Sequence, residues 1–246
     1  KGDTLNEMAV LSARSFSVKE TEKYAGSWGD PSRMASNFAG VITANDSRND
    51  IVIRGNSSLG LLWKLDGVII PNPNHFGALG TTGGPVSILN NNQLNNSDFF
   101  TGAFPAEYGN ALSGVFDLKM RNGNNKKHEF MLQTGFSGLE LGAEGPISKK
   151  AGSSYLINYR YSIPGLMGKL FKFGGGVPNY EDLSMNVNFP NKKIGTFSLF
   201  AIGGNSSIEF NDDGSGDASA YSVVRGLRTR NGSEMGVAGL SYRFFP

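Results

Sequence analysis

The sequence predicts an α+β domain followed by antiparallel β-strands with one apolar and one polar face. Three observations lead there. Helix-start and hairpin signals alternate with short β-branched runs through residue 120. A polar, basic, turn-forming stretch, RNGNNKK, follows at 121–127. Beyond it apolar residues recur with period two, the period of a half-buried strand. The expected division is an N-terminal segment, 1–26, a first domain, 27–125, and a strand region, 126–246.

In chain order, residues 1–26 offer little beyond a short mixed run, LNEMAVL, at 5–11. Asp30-Pro31 reads as an N-cap followed by proline at the first helical position. A short helix is expected over 31–38, stopping near Gly40. Residues 51–54, IVIR, read as a strand ending at Gly55. Asp66-Gly67 lies between apolar runs and signals a hairpin over 61–70. The Pro-, Gly- and Asn-rich stretch 71–85 is expected to be irregular, 86–94 a short helix, and 98–101 and 115–120 strands.

Alternation then marks about five strands, at 130–136, 155–161, 183–189, 196–202 and 237–245. Along the second, Tyr155, Ile157, Tyr159 and Tyr161 oppose Leu156, Asn158 and Arg160. Two environments fit. A soluble sandwich, the commoner case, turns the apolar face inward. A membrane barrel turns it outward and leaves polar residues facing the lumen. Tyr and Phe near strand ends, and Arg160 on the polar face, favour the membrane.

Composition narrows function. The chain has 246 residues, 34 Gly and no Cys, which removes disulfides, thiolate metal sites and cysteine nucleophiles. Net charge is only +2, and no basic stripe points to nucleic acid. No apolar run is long enough for a transmembrane helix. No leader is present, so any secretory signal is expected to be removed or upstream. The two histidines, His75 and His128, sit in no metal or catalytic pattern, and no phosphate loop or nucleophile elbow occurs. No enzyme and no cofactor are expected. Asp212, Asp213 and Asp217 on a Gly-rich loop suit calcium by charge, but the bidentate Glu of an EF-hand is missing, so a solvated hairpin is the plainer reading. Arg54 and Glu107 sit at turn positions where a guanidinium and a carboxylate match across an interface. The bland alternative is an exposed pair contributing little.

Three pieces in order, NDIVIRG at 49–55, LDGV at 65–68 and FPAEYGNALSGVFDL at 104–118, resemble the plug domain of TonB-dependent outer-membrane receptors. The flanking TGAFPAEYGNALSGVFDL and NYRYS look like a carbohydrate- or peptide-uptake branch. The resemblance implies a plug inside a transmembrane barrel of about 22 strands. It matches Arg54 and Glu107 to plug positions in ionic contact with the barrel wall. It matches Gly55, Asp66, Gly67, Tyr108, Gly109 and Gly114 to turns. Leu5, Glu7, Met8, Ala9 and Val10 fall where the family carries its TonB box, a segment that pairs with TonB as an added strand. Here that segment departs from the valine-rich pattern. About five strands cannot close such a barrel, so the expectation is the N-terminal part of a longer receptor.

The implied function is TonB-dependent transport of an unidentified nutrient ligand across the Gram-negative outer membrane, with the plug gating the barrel. Expected partners are TonB, the periplasmic energy transducer, outer-membrane lipids, and a surface lipoprotein or other outer-membrane complex subunits. The alternative is a plugged barrel serving as a scaffold subunit, which the atypical segment at 5–11 favours. A third reading is a soluble sugar-binding β-domain.

Overall fold

The computed structural model describes residues 12–17, 20, 23–24, 26–43, 45–77, 81–135, 138–163, 177–211 and 228–244. Two sheets dominate. The first has the order β1 (Ala13–Phe16), β8 (Ser97–Phe100), β9 (Gly114–Leu118), β4 (Leu61–Leu65), β5 (Val68–Ile70). Its β4–β9 pair is parallel and the others antiparallel. The second is a six-stranded antiparallel meander: β10 (Glu129–Gly135), β11 (Gly138–Ser148), β12 (Ser153–Tyr161), β13 (Val177–Asn191), β14 (Gly195–Asn211) and β15 (Arg228–Arg243). Two small ladders complete the first domain: β2 (Val41–Thr43) with β3 (Ile51–Ile53), and β6 (Asn74–His75) with β7 (Val86–Ser87).

Local chemistry explains the elements. Helix α1 (Pro31–Ala35) starts where Asp30 accepts the Ser32 N–H at 2.8 Å. It is shorter than expected because Ser36 Oγ and Asn37 Nδ2 both donate to the Arg33 carbonyl, competing with helical continuation. Asp66 and Gly67 have φ of +47° and +90°, the pair of positive values a type I′ hairpin turn requires. The strand expected over 51–54 ends at Ile53, since Arg54 turns the chain with φ +50°. The helix expected over 86–94 does not form. Pro85 precedes it, β7 takes its first residues, and a single 3-10 turn, Asn91–Gln93, follows under the Asn90 side chain. Asn-rich sequence favours such local side-chain turns over helix.

The first domain's core is an aromatic stack across the sheet. Trp63 and Phe99 each stack on Phe116 with ring centroids 4.4 Å apart, and Phe16 meets Phe116 edge-on. All four are buried. Gly114 is not a turn residue. It opens β9 opposite Leu61, and a side chain there would collide with Ile53 and the Phe100 carbonyl.

The second sheet is inside-out. Its outward face exposes Phe130 at 80%, Leu132 at 69% and Leu240 at 70%, while Asn158, Asp182 and Asn186 on the inward face are 2–3% exposed. The first domain covers the inward face, and Phe200 and Ile202 of β14 join its core. A soluble sandwich would show the opposite arrangement, so that alternative is set aside. β11, broken by glycines, escaped the alternation count and raises about five strands to six among the described residues.

Phe116→Ala should cost about 3–5 kcal/mol, because it empties the middle of the stack. Hydrogen exchange on the full-length protein should speed up in 61–70 and 97–118 and leave β11 and β12 unchanged.

Candidate functional site

The polar side chains converge where the first domain meets the inward face of β11–β14. The β6–β7 ladder presents the key groups. Asn49, buried at its base, donates to Asp30 at 2.6 Å and Asn74 at 2.6 Å and accepts from the Gly84 N–H at 2.8 Å. Gly84 has no room for a side chain beside the His75 carbonyl. This holds His75 against the sheet.

There His75 Nε2 donates to Asp182 Oδ2 at 2.8 Å. Arg160 donates to both oxygens of the same carboxylate, at 2.9 and 2.8 Å, and to the carbonyls of Ser87 at 2.7 Å and Ile88 at 2.9 Å. The Tyr180 ring lies 4.6 Å from the imidazole. Gly204 leaves space for it, since a Cβ there would sit 2.7 Å from His75 Cε1. Burial pushes the His75 pKa down, opposed by Asp182 and assisted by Arg160. The neutral ring is therefore the bound form, with Nδ1 buried and, among the described residues, without a partner.

Two further clusters extend the contact. Glu140 Oε1 accepts from Asn90 at 2.9 Å, Asn92 at 2.9 Å and Asn158 at 2.8 Å. Arg121 grips Glu144 with two bonds of 2.8 Å, while Asn186 donates to the Arg121 carbonyl at 2.9 Å. Phe76 N–H donates to Ser206 Oγ and Gln93 Nε2 to the Ser184 carbonyl. A cavity of about 580 Å³ remains between the two parts, bounded by Trp28, Arg33, Phe76, Asn91, Leu139 and Tyr180. Among the described residues no group of three or more His, Asp or Glu is placed to hold a metal. The arrangement is a hydrogen-bonded seam between the two parts.

The residues singled out from sequence lie elsewhere. Arg54, exposed, donates to Ser12 Oγ at 3.1 Å and Thr101 Oγ1 at 3.5 Å. Glu107 pairs with Lys64 at 3.3 Å. Gly55 has φ +78°. Tyr108 closes a turn onto the Pro105 carbonyl and buries its hydroxyl against Asp117 at 2.7 Å. Asn110, not Gly109, carries the positive φ there. Leu5, Glu7, Met8, Ala9 and Val10, and Asp212, Asp213 and Asp217, lie outside the described residues. His75 reads in sequence as a loop residue in no metal or catalytic pattern, because its partner is 107 positions away.

No protein-family model and no curated protein matches the chain. Solved structures do. The siderophore receptor PirA from Acinetobacter baumannii aligns over 98% of this chain with a TM-score of 0.63 at 18% identity. FpvA of P. aeruginosa aligns over 98% with 0.59 at 14%, and the outer membrane transporter YddB from Escherichia coli over 95% with 0.56 at 12%. This is the fold of a TonB-dependent receptor. The first domain corresponds to the plug and the six strands to part of the barrel. The chain spans 39%, 33% and 37% of those three proteins.

Asp182→Ala strands Arg160 as a buried unpaired charge, which should cost about 3–5 kcal/mol at the seam. His75→Ala should cost about 1–3 kcal/mol. Because the bound-state pKa of His75 is lowered, its contribution is present above its ordinary value of 6.5 and is lost as pH falls below it. Hydrogen-exchange protection over 74–88, corrected for the intrinsic pH dependence, should fall on acidification in the native full-length protein, and the fall should vanish in His75→Ala.

Proposed function

We propose that the chain is the plug and leading wall strands of a non-enzymatic outer-membrane transporter that takes up a nutrient ligand under the drive of TonB. The observation that carries this is the inside-out sheet wrapped on a hydrogen-bonded domain. Exposed Phe130, Leu132 and Leu240 are unfavourable in water and favourable in lipid. Asn158, Asp182 and Asn186 are tolerable inward only because the plug satisfies them. The open edges of β10 and β15 require further strands, since unpaired backbone in lipid costs several kcal/mol per group.

In this reading the seam through His75, Asp182, Arg160 and Glu140 holds the resting plug. TonB engages the candidate box at Leu5–Val10, just ahead of edge strand β1, and remodels the plug to open a path. Arg54 and Glu107, exposed on the plug, face wall strands beyond these six. Surface lipoproteins or other complex subunits would join at the membrane.

The test uses the full-length receptor in its own outer membrane, with Met8→Cys to trap TonB by cross-linking. A cross-link lost on scrambling residues 5–11 is expected. Outer-membrane protein without any cross-link would replace transport with the scaffold role. A protein recovered in the soluble fraction would overturn the membrane reading itself.

A further inference from the structure

The short connections 149–152 and 192–194 lie at the end of the sheet where 121–128 enters it. A Cβ on Gly152 would stand 3.6 Å from Pro190 and 3.9 Å from Asn125, which ties the three together. The two longest connections, 162–176 and 212–227, leave from the opposite end, which also holds the two-residue link 136–137. Barrels of this type place short turns on the periplasmic side, so this rim faces the periplasm.

The rim is cationic. Lys126, Lys127, Lys149, Lys150, Lys192 and Lys193 all sit on it and all are exposed. Arg243 of β15 joins them opposite Thr196. The chain as a whole is only +2, so the charge is concentrated here rather than general. Asn124 Oδ1 accepts the Lys126 and Lys127 N–H groups, and Asn191 Oδ1 accepts that of Lys193. These turns fix the lysine backbones. Lys127 pairs with Glu129 at 2.6 Å, and among the described residues the other five lysines make no ion pair.

Immediately inside the rim runs a row of outward aromatics. Phe189, Phe197 and Tyr242 are register partners on β13, β14 and β15. The Phe197 and Tyr242 rings are 4.7 Å apart, and the Tyr242 hydroxyl donates to the Ile194 carbonyl at 2.6 Å. Aromatic rings of this kind settle at the headgroup level of a bilayer. The lysines therefore lie at the depth of lipid phosphates, beside an apolar face that takes the acyl chains.

We infer that this rim binds anionic phospholipid headgroups of the inner leaflet, a selectivity that rests on the membrane reading above. Lysines at a membrane surface attract anionic lipid additively and in a salt-dependent way. A zwitterionic headgroup offers no net charge to match.

The test reconstitutes the full-length receptor in phosphatidylethanolamine bilayers with and without phosphatidylglycerol and reads retained lipid by native mass spectrometry. The native receptor should retain phosphatidylglycerol preferentially, and the preference should fall as salt rises. Combined Lys149→Gln, Lys150→Gln, Lys192→Gln and Lys193→Gln, all exposed, should lower it by up to roughly fivefold per lysine removed. Equal retention of both lipids by the native receptor, or a preference unmoved by salt and by the four substitutions, would overturn the inference and leave the membrane reading intact. A native receptor that enters neither bilayer would instead remove the reading on which it rests.

Discussion

The structure depends on one buried carboxylate. Asp182 sits on the inward face of β13, away from water, and is held by His75 from the plug and Arg160 from the neighbouring strand. A lone charge there would be prohibitive. With the plug in place it is satisfied, and the Arg160 Nη2 that reaches Asp182 also donates to the plug carbonyls of Ser87 and Ile88. Wall and plug are thus each incomplete without the other. The same holds more weakly at Glu140, whose acceptor is filled from both sides.

This division of labour makes the contact more polar than an ordinary domain interface. Dispersion and area burial reward any close approach and are hard to undo. Hydrogen bonds exchange with water at small net cost, so long as water can reach them. The seam is largely of the second kind, and its apolar part runs along Phe200 and Ile202 of β14 with Met235 and Val237 of β15. The adjacent cavity gives water a place from which to enter.

Local signals were legible in the sequence and long-range ones were not. Asp30-Pro31 and Asp66-Gly67 specify their structure within a few residues, and both behave as read. Alternation along 155–161 and 183–189 identifies two-faced strands but cannot say which face is inside; only the burial of Asn158 and exposure of Phe130 decide it. The strand at 138–148, GLELGAEGPIS, hid because Gly and Glu break its period. Asn49 lay within a quoted motif yet gave no hint of being the hub beneath His75, since its partners come from three separate segments.

The linker between the sheets sets the plug's freedom. Met120 bridges to Leu94 within the plug, and Arg121 is clasped by Glu144 of β11, so the junction is tied to the plug on one side and to the wall on the other. Even with those bonds broken, 121–128 can extend only roughly 3.5 Å per residue, roughly 28 Å in all. The two parts are therefore leashed at this junction and cannot separate there by more than that length.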